Sequence, residues 1–157
     1  MIAWYAAGAI LAVWLVFQST GLDFRLVATG GVAPLFDAFV GHQAVMHSLL
    51  GPTVALLVVM TVTAGRGRRL LRRRLIGLPI GWYFGIALGG SFAHREVFWY
   101  PAFGREFGDA AVWPPLGLAV ALEVAGIVAL RTIWSRAGLR EPRHRAEFIR
   151  SGRLDLP

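Results

Sequence analysis

The sequence predicts an all-α protein, an integral membrane four-helix bundle with an aromatic-rich extracytoplasmic cap. Three observations carry that prediction. Of the 157 residues, 56% are hydrophobic and 16% charged, with a mean hydropathy of +0.58. Four apolar stretches recur, each of about 20 residues, the length that crosses a hydrocarbon core of about 30 Å. The arginines gather in two places instead of dotting a surface. A water-soluble domain seldom carries so much apolar sequence. Backbone groups in a bilayer have no water to bond to, so each stretch is expected as a helix.

The first helix is expected over residues 2–20, "IAWYAAGAILAVWLVFQST". No charged residue precedes its apolar run, and "FQSTGLD" lacks a small-x-small cleavage pattern. It therefore reads as a retained helix and not as a removed signal peptide. The second helix is expected over 44–64, the third over 75–93 and the fourth over 112–133. Residues 1–134 would form the transmembrane domain and 135–157 a basic cytoplasmic tail. The tail is polar and contains Pro142, and it is expected either as a short surface helix or as disordered chain.

Orientation follows from the arginines. Arg66, Arg68, Arg69, Arg72, Arg73 and Arg74 lie between helices two and three, Arg131 ends helix four, and six more follow it. Thirteen of the sixteen thus fall on one side, against Arg25, Arg95 and Arg105 on the other. By the positive-inside rule this predicts a multi-pass protein with both termini cytoplasmic and residues 21–43 and 94–111 facing outward. The net charge of +7 reads as a topology signal lying against anionic lipid, so membrane lipids are expected as partners and nucleic acid is not. Cysteine is absent, which excludes disulfides and thiolate metal sites.

The two outward segments differ. "GLDFRLVATGGVAPLFDAFVG" mixes apolar residues with Gly and Pro and is expected in the membrane interface, as a short helix ended by Gly30 and Gly31. "REVFWYPAFGREFGDAAVWPP" is dense in aromatic rings, which favour the headgroup level. Together they form the expected cap.

Candidate chemistry collects on that side. His42, His47 and His94 fall there, with Asp37 before helix two, Asp109 before helix four and Glu96 beside His94. Such ligands suit Zn²⁺ or Mn²⁺, and three of them leave a position for an activated water. The spacing opposes a simple site. His42 and His47 are five residues apart, which at about 100° per residue directs them about 140° apart on a helix. They can share an ion only if the chain breaks at Gly41. The other reading is two interfacial histidines. Pro52 removes a hydrogen bond to the Ser48 carbonyl if helix two is continuous. It either opens the outer half of the bundle or is an ordinary membrane-helix proline.

Two features lie within the helices. Gly77, Gly81, Gly85 and Gly89 form a stripe along helix three. Small residues four apart let a second helix approach closely, in the same chain, a second copy or another membrane protein. Glu123 sits in the apolar middle of helix four, level with Thr53 and Tyr83 by helical rise. A carboxyl there needs a partner. It acts either as interhelical glue or as the relay of a small transporter.

At "FDAFVGHQAVMHSLLG" the chain resembles a family of small bacterial inner-membrane proteins described as membrane-bound metal-dependent hydrolases, the YdjM-like proteins. Pro34 and Asp37 resemble the family's acidic element. His42, His47 and Ser48 match its H-x4-H-S segment, and "FWYPAFG", Phe98–Gly104, resembles the aromatic box of an actinobacterial branch. The likeness covers about residues 22–125. It implies the bacterial inner membrane, a divalent metal, and a ligand set of Asp37, His42 and His47 completed by His94 or Asp109. The set is degenerate here. One acid stands where the family has two, and Gly85 and Gly89 occupy the register of its second His and Asp. The expected function is therefore a non-catalytic lipid- or protein-binding member of that family. The alternative is a metal-dependent hydrolase of a lipid-linked or envelope substrate at the outer face, and a third reading is a transporter using Glu123.

Overall fold

A computed structural model describes residues 1–18, 21–65, 67–103, 107 and 110–154. Among them every regular element is helical. Helix α1 runs from Ile2 to Phe17 and stops where Gln18 turns left-handed and its N–H reaches the Trp14 carbonyl at 2.9 Å. Helix α2, Phe24–Val32, starts from Asp23, whose side chain accepts the Arg25 N–H. It continues into a 3-10 segment, Ala33–Phe39, with Pro34 in the first turn. A second 3-10 turn, Val45–His47, leads into α3, Leu50–Val62. The basic helix α4, Arg69–Leu75, joins α5, Gly77–Leu88. A third 3-10 turn, Ser91–Ala93, and the short α6, Arg95–Phe98, precede α7, Leu116–Arg136. The tail forms α8, Pro142–Ser151.

The element between helices one and two is the short helix expected there, but it is built into the bundle. Helix α2 packs between α1 and α5. The glycine stripe makes this contact. A methyl group built on Gly81 would lie 2.0 Å from the Val27 carbonyl oxygen, and one on Gly85 would lie 2.3 Å from that of Gly31. The contact is reciprocal, since a methyl on Gly30 would sit 2.0 Å from the Leu78 carbonyl. Two backbones touch with nothing between them, a packing that only glycine permits. The partner of the stripe is therefore α2 of the same chain. Gly89, at the end of the stripe, faces the Tyr5 hydroxyl instead.

This packed helix reverses the course of α1. Tyr5 and Ala9 meet Gly31, whereas Val13 shares a buried cluster with Leu22, Phe24, Ile133, Leu139 and Leu154. Helix α1 thus descends toward the end that holds α4 and the tail. Residues 21–25 lie at that arginine-rich end, against the expectation that all of 21–43 lies opposite it. The first turn of α1 and the tail occupy opposite ends, where a four-pass reading put both termini together. Arg25 moves with the turn, so the charge asymmetry becomes sharper.

The tail belongs to the same core. Leu139 and Leu154 are buried, and the Phe24 N–H donates to Gly152 O at 2.8 Å. Arg25 ties the joint, bonding the Asp23 carboxylate through Nε at 2.9 Å and Nη2 at 2.6 Å, and donating to the Ile149 carbonyl. Gly152 is required there. Its φ is +70°, and a methyl group would run into the Asp23 carboxylate.

The expected boundaries shift inward at several points, so that among the described residues α7 is the one helix long and apolar enough by itself to cross a membrane, where four were expected. The second stretch becomes regular helix only from Leu50, which places Pro52 in a first turn. Its missing N–H would have had no helical partner there, so no kink forms. The third stretch ends at Leu88, and Gly90, with φ +71°, turns the chain out.

Candidate functional site

The end of the bundle opposite the arginines is built around Asp37. The Val40 and Gly41 N–H groups close on the Asp37 carbonyl at 2.9 and 3.2 Å, and Gly41 reverses the chain with φ +89°. The returning segment then folds over the Asp37 side chain. Its carboxylate accepts N–H bonds from Ala44 at 2.7 Å, Met46 at 3.3 Å and His47 at 3.1 Å. It also takes His47 Nδ1 at 2.8 Å. A lone 3-10 turn leaves backbone donors open, and one buried carboxylate collects them. Neighbouring elements hold the turn from outside. Trp82 Nε1 on α5 donates to Met46 O at 2.8 Å, and the Leu49 N–H reaches Phe98 O at 3.0 Å. Gln43 ties this segment to the Ala110 and Ala111 carbonyls at 2.8 and 3.0 Å.

His47 is 0% exposed. Its bond to Asp37 assigns the ring proton to Nδ1, which leaves the Nε2 lone pair in the neutral tautomer. That Nε2 has no hydrogen-bond partner among the described residues, and neither has the buried Ser91 Oγ. An imidazole oriented by a carboxylate with its far nitrogen free is the arrangement used for general bases and for ligating histidines.

The remaining metal candidates do not join this pair. His42 turns its Nδ1 to the Gln43 carbonyl at 3.1 Å, and its ring faces Phe107 at 6.4 Å. The chain does break at Gly41, with φ +89°, but His42 is engaged with Gln43 and Phe107 and not with the Asp37 carboxylate. His94, which precedes α6, and Glu96, in its first turn, are both exposed. Asp109 lies outside the described residues. No group of three His, Asp or Glu side chains comes together among the described residues. The Asp37 oxygens already serve four donors, all of them groups of the chain itself.

Around the pair, aromatic rings form the cap. Phe98 meets Trp99 edge-on at 5.3 Å, Trp99 meets Phe103 at 6.2 Å, and Tyr100 lies 4.5 Å from Phe107. The Arg95 guanidinium stacks over Phe103 at 4.1 Å.

Glu123 has a partner that rise-counting missed. Thr53 and Tyr83 bond each other at 2.7 Å. Glu123 instead accepts the Ala3 N–H at 3.1 Å and the Trp4 N–H at 3.4 Å, and lies 3.3 Å from the Met1 amino group. It caps α1 from α7. Gly126, one turn on, lets the helices touch, since a methyl there would lie 2.2 Å from Trp4 N. The sequence held the clue in α1, whose N-terminus has no Ser, Thr, Asp or Asn to satisfy its open donors. Asp23 also escaped notice. Burial alone would raise its carboxyl, but the bonds and charge of Arg25 bring it below the ordinary value.

Comparison of the chain with family models, with curated proteins and with solved structures gives no match.

Proposed function

We propose that the chain is a multi-pass membrane protein that acts by binding, as a lipid-embedded, non-catalytic member of the family it resembles. One observation carries the reading. Helix α7 is 21 residues long and apolar, yet only Gly126 and Ile133 are buried. Leu118, Val120, Val124, Ile127 and Val128 are exposed around it. A helix apolar on all sides needs an apolar surrounding, and here the protein does not supply one. Helix α3 repeats the pattern, with Val54, Leu57, Val58 and Met60 exposed. Acyl chains would cover both faces. The arginine-rich end would then be cytoplasmic and the aromatic cap extracytoplasmic. Membrane fractions washed with alkaline carbonate test this. Retention of the protein in the pellet, with release by detergent alone, supports it. Recovery in the wash overturns it.

A hydrolase is the second reading, and the free Nε2 of His47 is the observation that favours it. Metal analysis after chelator-free purification decides between the two. Stoichiometric Zn or Mn that disappears in His47→Ala would establish the hydrolase reading over the binding one. The transporter reading is weaker, because a relay through Glu123 would uncap α1 at each cycle.

A further inference from the structure

We propose that α4 is a docking surface for anionic phospholipid headgroups, a proposal that rests on the membrane reading. The segment 68–75 reads "RRLLRRRL", five arginines in eight positions. Among the described residues Arg25 is the one arginine in an ion pair. Arg68 and Arg73 face the protein's own backbone. Arg68 donates to Val62 O at 2.8 Å, and the Arg73 guanidinium lies against Gly21. These two contacts pin α4 to the end of the bundle. Arg69, Arg72 and Arg74 are left with no acidic side chain in reach among the described residues.

Exposed leucines between the arginines indicate the partner. Leu70 is 71% and Leu71 46% exposed. Nucleic acid has no use for them, but a bilayer surface does, because leucine enters the acyl boundary while guanidinium groups fork onto phosphate oxygens. The position agrees. Helix α4 lies where α3 ends and α5 begins, beside the exposed Met60 and Val62. Its arginines are therefore set at the depth where an anionic headgroup meets the chains.

The test uses full-length protein in detergent, offered phosphatidylglycerol or phosphatidylcholine in equal amounts, with bound lipid counted by native mass spectrometry. Phosphatidylglycerol is expected to be retained at least about tenfold over phosphatidylcholine. High salt should weaken that preference. The triple variant Arg69→Gln, Arg72→Gln, Arg74→Gln should lose it, while the α8 control Arg143→Gln, Arg145→Gln keeps it. Equal retention of both lipids by the unaltered protein overturns the proposal without any variant, as does a preference that survives the triple change. Binding of a single-stranded oligonucleotide that displaces no lipid, lost in the triple variant, would also overturn it in favour of nucleic acid. Failure of the membrane reading is separate, because it appears as solubility in the carbonate wash.

Discussion

Glu123, in the apolar stretch of α7, accepts the backbone N–H of Ala3 at 3.1 Å and so fixes where α1 begins. Both sides gain. The helix start loses open donors, and the carboxylate gains the bonds that its apolar setting demands. Replacing Glu123 by Leu is expected to destabilise the protein by about 1–3 kcal/mol. Glu123→Gln keeps one acceptor and should cost less. Thermal unfolding in detergent checks the order. Equal midpoints for Leu and the native residue would remove Glu123 from the account.

The seam between α2 and α5 predicts a contrast between two glycines. Gly81→Ala should destabilise by about 1–3 kcal/mol, since the methyl group collides with a backbone carbonyl that cannot retreat alone. Gly117 has nothing within 4 Å of a methyl group, so Gly117→Ala should be neutral or stabilising by up to about 1 kcal/mol. Unfolding midpoints of the two variants measure the difference. A tolerated Gly81→Ala would mean the helices are further apart than described.

Much of this was legible beforehand because it depends on pattern. The helical class, the glycine seam and the clustering of arginines at one end follow from periodicity and charge. The packing of α2 inside the bundle did not show, because "FRLVATGGV" is short and rich in Gly and reads as an interfacial helix. Its burial comes from the glycines facing it. The omission displaced residues 21–25 to the wrong end. The candidate site was partly visible. Asp37 and His47 do meet, but His42 does not join them, since the turn at Gly41 sends its ring toward Phe107. No spacing rule specifies that direction.

The joint between α2 and the tail should respond to acid. Asp23 has a folded pKa below its ordinary value of 3.8. A depressed carboxylate contributes stability that is complete above the unfolded value and lost as pH falls through the folded one. The native protein should therefore exceed Asp23→Asn in unfolding temperature by a constant margin above about pH 5, and the margin should shrink below about pH 4. A margin that grows on acidification would contradict the assigned sign.

The His47–Asp37 pair predicts unequal histidines. His47→Ala removes a buried side chain and strips a donor from Asp37, at an expected cost of about 2–5 kcal/mol. His42→Ala and His94→Ala should each stay within about 0.5 kcal/mol. Metal content should be unchanged in all three variants. A metal lost in His42→Ala or His94→Ala would show that those histidines share a site with His47.

The course of the chain through the membrane is the central claim, and the absence of cysteine makes it directly measurable. Single cysteines placed at the exposed positions Gln18, Ala111 and Ala146 can be labelled in intact cells with a membrane-impermeant maleimide. The account predicts that Ala111→Cys reacts from outside, while Gln18→Cys and Ala146→Cys react only after permeabilisation. Labelling of Gln18→Cys from the same side as Ala111→Cys would contradict it.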